Sequence, residues 1–346
     1  MIPDRFGFAP ALSLGVEEEL MILDAETLQP AAGVAAIVEG TRDLDLPGVV
    51  KTEMHASVVE LNTAVCATVE EAVAALAELR AGAAAVARTH GLVLAAAGAH
   101  PTAALESLPV VQEERYLAMI RTVGHAARRQ GVNGLHVHVG LESGERCHDR
   151  LEAVLPWLPV VLALSANSPF ADGADTGMLS ARASILGELP RAGAPPVFGS
   201  YAGWTAWVER LVAAGAIEDE TRLWWDVRPN PRFGTRELRI ADQPTALERT
   251  ALLVRVLHDL VEQAPSRAPD PAARGDYAQN RWAAARNGLD AVLLHPDGDG
   301  PVGARELAAE LLGEEPPEPE ARCQLEVAGR AGRDAVAADL VARTIA

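Results

Sequence analysis

Glu17 and Glu19 stand two apart in a segment that alternates apolar and polar residues, so a β-strand there puts both carboxylates on one face. The same spacing puts His136 and His138 together opposite Leu135, Val137 and Val139, and puts Glu237 and Arg239 together opposite Leu238 and Ile240. Glu60 lies between Val58 and Asn62 in a further alternating segment. Four strands with acids or imidazoles on one face suggest a single polar floor. Carboxylates gathered so closely repel one another and need cations among them, and hard oxygen donors suit Mg²⁺ or Mn²⁺. Magnesium keeps waters and substrate phosphates in its shell, so the ligand that fits such a floor is a nucleoside triphosphate, and the chemistry is that of an ATP-dependent enzyme. Taken singly, each motif has a plainer reading: a solvated strand end for Glu17 and Glu19, a polar sheet face for the histidines, a cross-strand ion pair for Glu237 and Arg239. Their co-occurrence favours the site.

Two spacings resist this picture. Glu18 points into the core if its strand is regular, so it must find a partner there or lie beyond the core edge. Glu53 and Glu60 are seven apart, an odd number, so one uninterrupted strand would place them on opposite faces; if both serve one site the chain bends between them, near His55-Ala56-Ser57. Trp224-Trp225-Asp226 reads as core plus a cap or as a substrate platform. Asn280, Arg281 and Arg286 read as an exposed helix face or as ligand contacts, and His100 as a structural loop residue.

The elements that must carry these residues are about six strands, at 12–23, 57–63, 92–97, 134–141, 223–228 and 235–241, unevenly separated by alanine-rich helices. Helical spacing covers 68–91, 113–130, 149–164, 205–214, 245–264, 278–294 and 324–345, the first opened by a capping-box pair, Thr68 and Glu71. Segments 266–276 and 313–321 are loops by composition; the second is an acidic linker or a solvated turn before a last helix. A single domain of 346 residues with that helix packed on it is the expected organisation.

Composition bounds the function. With 30 basic and 48 acidic residues the formal charge is −18, which disfavours a nucleic-acid partner, although local arginines can still hold a small anion. Cys66, Cys147 and Cys323 lie far apart without metal-site or disulfide spacing. The N-terminus lacks the pattern of a signal peptide, and the most apolar stretch, 151–170, holds three prolines, so neither export nor a membrane span is expected and a cytoplasmic location is the simplest inference.

SLGVEEEL, ASVVELNT, GAHP, ERY, NGLHVHVGL, LALSANSPF, WWDVRPNPRFGTRELRI and QNRWAAARNGLDA, in that order, resemble the carboxylate-amine ligase family of the YbdK type, also called glutamate-cysteine ligase type 2. The resemblance runs from about residue 12 to 290. It implies an α+β fold like the glutamine synthetase catalytic domain: a curved, mainly antiparallel sheet whose concave face binds ATP, metal and amino-acid substrates, backed by helices. It further implies that Glu17, Glu19, Glu60 and Glu237 hold metal, with His136 beside them and Glu53 a further acid, and that Arg239 faces the transferred phosphate. Arg182 and Arg228 become candidates for a substrate carboxylate or a phosphate, Asn280 and Arg281 for nucleotide contacts, and a homodimer is implied. The reaction implied is amide formation through an acyl phosphate, with glutamate and L-cysteine as the named substrates. A noncatalytic nucleotide- or metal-binding protein and a guanidino-kinase-like phosphotransferase are the alternatives; the intact acids argue against the first, and against the second stands that its site needs many phosphate-binding arginines whereas acids dominate here.

Overall fold

β1 (Leu14–Asp24) is the axis of the molecule, long enough to be shared by three partners. The computed structural model describes residues 2–268, 270–296, 298 and 300–345. β2 (Gly48–Thr52) and β3 (Val58–Thr63) form a hairpin that flanks β1 on one side. On the other side β5 (Leu135–Gly140) pairs with the first half of β1, and β4 (Leu92–Ala95) with its last residues. A second hairpin, β6 (Val227–Asn230) and β7 (Thr235–Leu238), extends the sheet beyond β5. The order is β2-β3-β1-β5-β7-β6, and every pairing is antiparallel.

One face of this sheet is apolar because the strands alternate. Val16, Leu20 and Ile22 of β1, Val59 and Leu61 of β3, Val137 and Val139 of β5 and Leu238 of β7 are buried together against the helices Val69–Thr89, Leu158–Ser165 and Leu247–Gln263. The C-terminal helix, Asp334–Thr344, packs on Met21 and Leu23 at the far end of the opposite face, and the part of that face around Glu17 and Glu19 is left for ligands.

Local signals set the helix ends. Thr68 Oγ1 accepts the Glu71 N–H and the Glu71 carboxylate accepts the Ala67 N–H, so the expected capping box forms, displaced by one residue on its return bond. Where the expectation of one long helix fails, a glycine or proline is responsible. Gly124, at φ +74°, splits 113–130 into Glu114–Val123 and His125–Arg128. Gly332, at φ +86°, splits the C-terminal segment into Glu320–Ala331 and Asp334–Thr344. The helix expected over 278–294 is Ala273–Asn287; it ends at Gly288, and Val292–Leu294 pairs as a strand with Pro301–Gly303. Pro156 starts a 3-10 turn, Leu155–Trp157, inside 149–164. β2 escapes detection in the sequence because Val49, Lys51 and Glu53 do not alternate cleanly with buried residues.

Candidate functional site

The polar floor exists, and strand register assembles it. Across β2, β3 and β1 the pairs Lys51↔Glu60 and Glu60↔Glu19 stand in line; one step along, Asn62↔Glu17 and Glu17↔His136 do the same. A third row beside these runs Gly15↔His138, His138↔Glu237 and Glu237↔Arg228. The odd spacing of Glu53 and Glu60 is resolved by the β2–β3 hairpin. Residues 53–57 form its turn, so the chain reverses and returns Glu53 to the neighbourhood of Glu60 and Glu19.

Glu17 is clasped by both imidazoles, with His136 Nδ1 3.1 Å from one carboxylate oxygen and His138 Nε2 3.4 Å from the other. Burial pushes its carboxyl up, but hydrogen bonds to His136 and His138 outweigh burial and hold it well below the usual range. Burial, helped by Arg239, pushes His136 down to about 4. For His138 the same burial is overcome by its contact with Glu17, and the ring is shifted upward. His138 Nδ1 is anchored by Thr235 Oγ1 at 2.8 Å.

Glu19, Glu60 and Glu53 behave in the opposite way. Burial raises all three, and they aggravate one another: Glu17 and Glu19 act on Glu60, and Glu60 and Glu19 act on Glu53, whose carboxyl is pushed up to about 8. The opposing cations fall short: Lys51, 3.1 Å from Glu60, is half exposed, Arg115, which eases Glu53, is exposed, and of the three acids Arg182 and Arg239 ease Glu19. This part of the floor lacks positive charge.

Glu237 has that charge in full. It is fully buried and takes Arg228 Nε and Nη2 at 2.9 and 3.0 Å, Asn230 Nδ2 at 2.8 Å, and Arg239 Nη1. Despite burial, Arg228 and Arg239 hold it well below the usual carboxylate range. Arg239 keeps its Nε unpartnered and buried, and Asn62 Oδ1 is likewise buried without a partner. A cluster of repelling carboxylates beside an unused donor and an unused acceptor fits a divalent cation and an anionic ligand.

Not every expected residue reaches the floor. Arg228 does not offer a free guanidinium there: besides its two bonds to Glu237 it donates to the carbonyls of Thr221 and Leu223 at 2.9 and 2.7 Å, so it positions Glu237. Arg182 lies beneath, donating to the carbonyls of Ile240 and Arg239 at 3.2 and 3.1 Å, and Gly134 makes room for it, since a Cβ there would come within 2.1 Å of Nη2. Asn280 is spent on the backbone of Leu294, donating to its carbonyl and accepting its N–H, each at 2.7 Å. Arg281 clasps the buried Asp226 at 2.6 and 3.2 Å, where the Tyr277 hydroxyl also donates. Neither Asn280 nor Arg281 joins the floor; both brace the elements behind it. Trp225 is core, stacked on Trp207, and His100 holds its loop through the Leu28 carbonyl.

Sequence reasoning missed Lys51, Tyr116, whose hydroxyl lies 3.5 Å from Glu53 Oε2, and Arg80, which holds Glu18. Arg80 had a signal: it is a lone cation on the apolar stripe of Leu76, Leu79, Ala83 and Ala87. At the end of the floor beyond Glu17 and His138 a cavity of about 600 Å³ opens, walled by Phe8, Val49, Val65 and Phe233 and rimmed by Arg5 and Arg232.

The family model described as glutamate-cysteine ligase family 2 matches residues 13–341. The chain belongs to that family. A relative from Rubrobacter xylanophilus, carried under the provisional name glutamate–cysteine ligase 2-3, is 39% identical over 97% of this chain and 93% of its own. A second from the same organism, provisionally glutamate–cysteine ligase 2-1, is 40% identical over 86% of this chain and 79% of its own. Among solved structures, a glutamate–cysteine ligase of Francisella tularensis in complex with AMP superposes with a TM-score of 0.68 at 14% identity, covering 98% of this chain and 89% of that one, which establishes the shared fold. As a member of this family the chain is an ATP-dependent ligase that forms carbon–nitrogen bonds. Among the described residues no helix is long and apolar enough to cross a membrane.

Proposed function

We propose that this ligase joins the γ-carboxylate of glutamate to the amino group of L-cysteine, giving γ-glutamylcysteine, ADP and phosphate. The observation that carries the reading is the register that sets Glu19 directly opposite Glu60 and Glu17 opposite His136 on one sheet face, with Glu53 brought back beside them by the hairpin turn. The provisional names of the relatives supply the substrates. Glu17, Glu19 and Glu60, with His136 beside them, are the residues that would hold Mg²⁺ or Mn²⁺, and the metal would neutralise the triphosphate; Glu237, whose oxygens already take Arg228, Arg239 and Asn230, would join them by giving up one of those donors.

In the first step a γ-carboxylate oxygen of the acid attacks the γ-phosphorus of ATP and the bond to the β,γ-bridging oxygen breaks, releasing ADP and leaving an acyl phosphate. The amine nitrogen then attacks the acyl carbon, inorganic phosphate departs and the nitrogen loses a proton. Arg239 is held beside Glu237 with an unused buried Nε, and serves as the fixed cation at the transferring phosphoryl group. Arg228 and Asn230 keep Glu237 in place. The cavity walled by Phe8 and Phe233 takes the base of the nucleotide, which sets the phosphates along the floor toward Arg239.

The test is product release. ADP and phosphate should appear in equal amounts only when ATP, glutamate and L-cysteine are all present. ADP release that ignores the amine, or that needs a different acid, would defeat the reading.

A further inference from the structure

The glutamate between the two floor acids of β1 faces the other way. Glu18 is fully buried on the helix-covered side, and its carboxylate takes Arg80 Nε and Nη2 at 2.7 and 2.6 Å, Gln243 Nε2 at 3.0 Å and Thr250 Oγ1 at 2.7 Å. Arg80 spends its other donors on carbonyls of Pro244, Thr245 and Thr344, the last residue of the C-terminal helix. Every N–H of the guanidinium is thereby used.

Gln243 connects this network to the floor. The β1–β5 ladder ends at Glu18↔Leu135 and the β1–β4 ladder begins at Met21↔Ala95, so the Glu19 N–H falls in the gap between two strands. Gln243 Oε1 fills the gap, accepting that N–H at 3.1 Å, while its Nε2 donates to Glu18. The Glu19 carboxylate is caught from the same neighbourhood, by the Gly134 N–H at 2.5 Å, and the Gln243 N–H donates to the carbonyl of Asn133. The amide of Gln243 thus does the work of an absent strand.

We infer that Arg80, Glu18 and Gln243 form a truss that positions Glu19 for cation binding and ties the C-terminal helix to the floor. They are positioning residues: none touches the floor side of β1, and Gln243 acts only through the Glu19 backbone. The need for a truss follows from repulsion. Glu19 stands directly opposite Glu60 across the β1–β3 pair, and its backbone N–H, which faces the gap between β5 and β4, has no strand partner to hold it against that repulsion.

The inference rests on the floor being a cation site, so the experiment reads Mn²⁺ affinity by electron paramagnetic resonance on the full chain, without turnover. Gln243→Met keeps the bulk but removes the acceptor for Glu19, whereas Thr250→Val removes a bond to Glu18 and leaves Glu19 alone. Gln243→Met should weaken Mn²⁺ binding roughly 10–100-fold and lower kcat with the KM for the amine unchanged. Thr250→Val should bind Mn²⁺ as the wild type does. Should Gln243→Met not fold, the exchange Glu18→Gln with Gln243→Glu restores an acceptor for Glu19 with the charge kept in the network, and near-wild-type affinity there supports the truss while its loss refutes it. Unchanged affinity in folded Gln243→Met overturns the inference alone. A wild-type chain that binds no Mn²⁺ overturns the cation site as well.

Discussion

The two faces of β1 put the same residue type to opposite uses. Glu18 on the helix-covered face meets four donors from three side chains, and its charge is matched by Arg80. Glu19, its neighbour in the chain, faces Glu60 and Glu53 across the floor, and burial raises all three above the ordinary carboxylate range. A buried carboxylate with its counter-charge built in is architecture; one whose counter-charge is missing stores a demand for a ligand. Glu237 shows both characters, since Arg228 and Arg239 neutralise it while one of those arginines keeps a donor unused.

That contrast is sharpest in substitutions that remove one charge. Glu19→Gln or Glu60→Gln should cut ATP turnover on the order of 1000-fold or more, because an amide oxygen carries no charge to hold Mg²⁺. Without metal the same variants should melt at or above the wild-type temperature, since a repulsion is relieved. Glu237→Gln should lose turnover and stability together, because it strands Arg228. A metal-free Glu60→Gln that melts well below wild type would break the distinction between the two faces.

On the covered face the expected loss is of stability. Arg80→Met leaves Glu18 buried without its counter-charge, which costs about 3–5 kcal/mol and is read by urea unfolding. A cost near zero would mean that Glu18 is held by Gln243 and Thr250 alone. Arg239→Lys tests the residue that stands between the two characters. It keeps the charge but loses the planar fork, so ATP affinity should stay close to wild type while turnover falls about 100–1000-fold. Normal turnover with a small loss of stability would make Arg239 a simple ion-pair partner of Glu237.

Alternation is what made the floor legible. The two-residue periods at Glu17 and Glu19, His136 and His138, and Glu237 and Arg239 survive folding because a pleated strand leaves them no other arrangement. Register was not legible, since it depends on which strands pair: nothing local says that Lys51 meets Glu60 or that Gln243 completes a gap beside Glu19. Arginines misled for a related reason. Arg228, Arg182 and Arg281 read alike as anion receptors, yet Arg228 is taken up by Glu237 across its own hairpin and by the carbonyls of Thr221 and Leu223, Arg182 by the distant carbonyls of Arg239 and Ile240, and Arg281 by the distant Asp226. Glycine breaks were present in the sequence at Gly124 and Gly332, but helical spacing continues across both, so only the backbone at positive φ reveals the stop.

The smallest expected effect is also a comparison, now inside one turn. Glu53 and His55 both belong to the β2–β3 hairpin turn, and burial shifts them in opposite directions: the carboxyl from 4.5 up to about 8, with Glu60 and Glu19 adding to burial, and the imidazole from 6.5 down to about 4. Each shift has its own sign in stability. The folded chain holds the Glu53 proton where the unfolded chain has released it, so this contribution is full below pH 4.5 and is lost as pH rises toward about 8. The folded chain keeps His55 neutral where the unfolded chain protonates it, so that contribution is full above pH 6.5 and is lost as pH falls toward about 4. Between 4.5 and 6.5 the two slopes oppose and largely cancel; above 6.5 only Glu53 acts. Urea unfolding in the presence of a chelator should therefore show Glu53→Gln gaining on wild type by about 1–2 kcal/mol as pH rises from 6.5 to about 8, and His55→Gln gaining as pH falls below 6.5. Parallel pH curves for wild type and Glu53→Gln would show that this carboxyl titrates as if exposed, and the charge deficit would then be confined to Glu19 and Glu60.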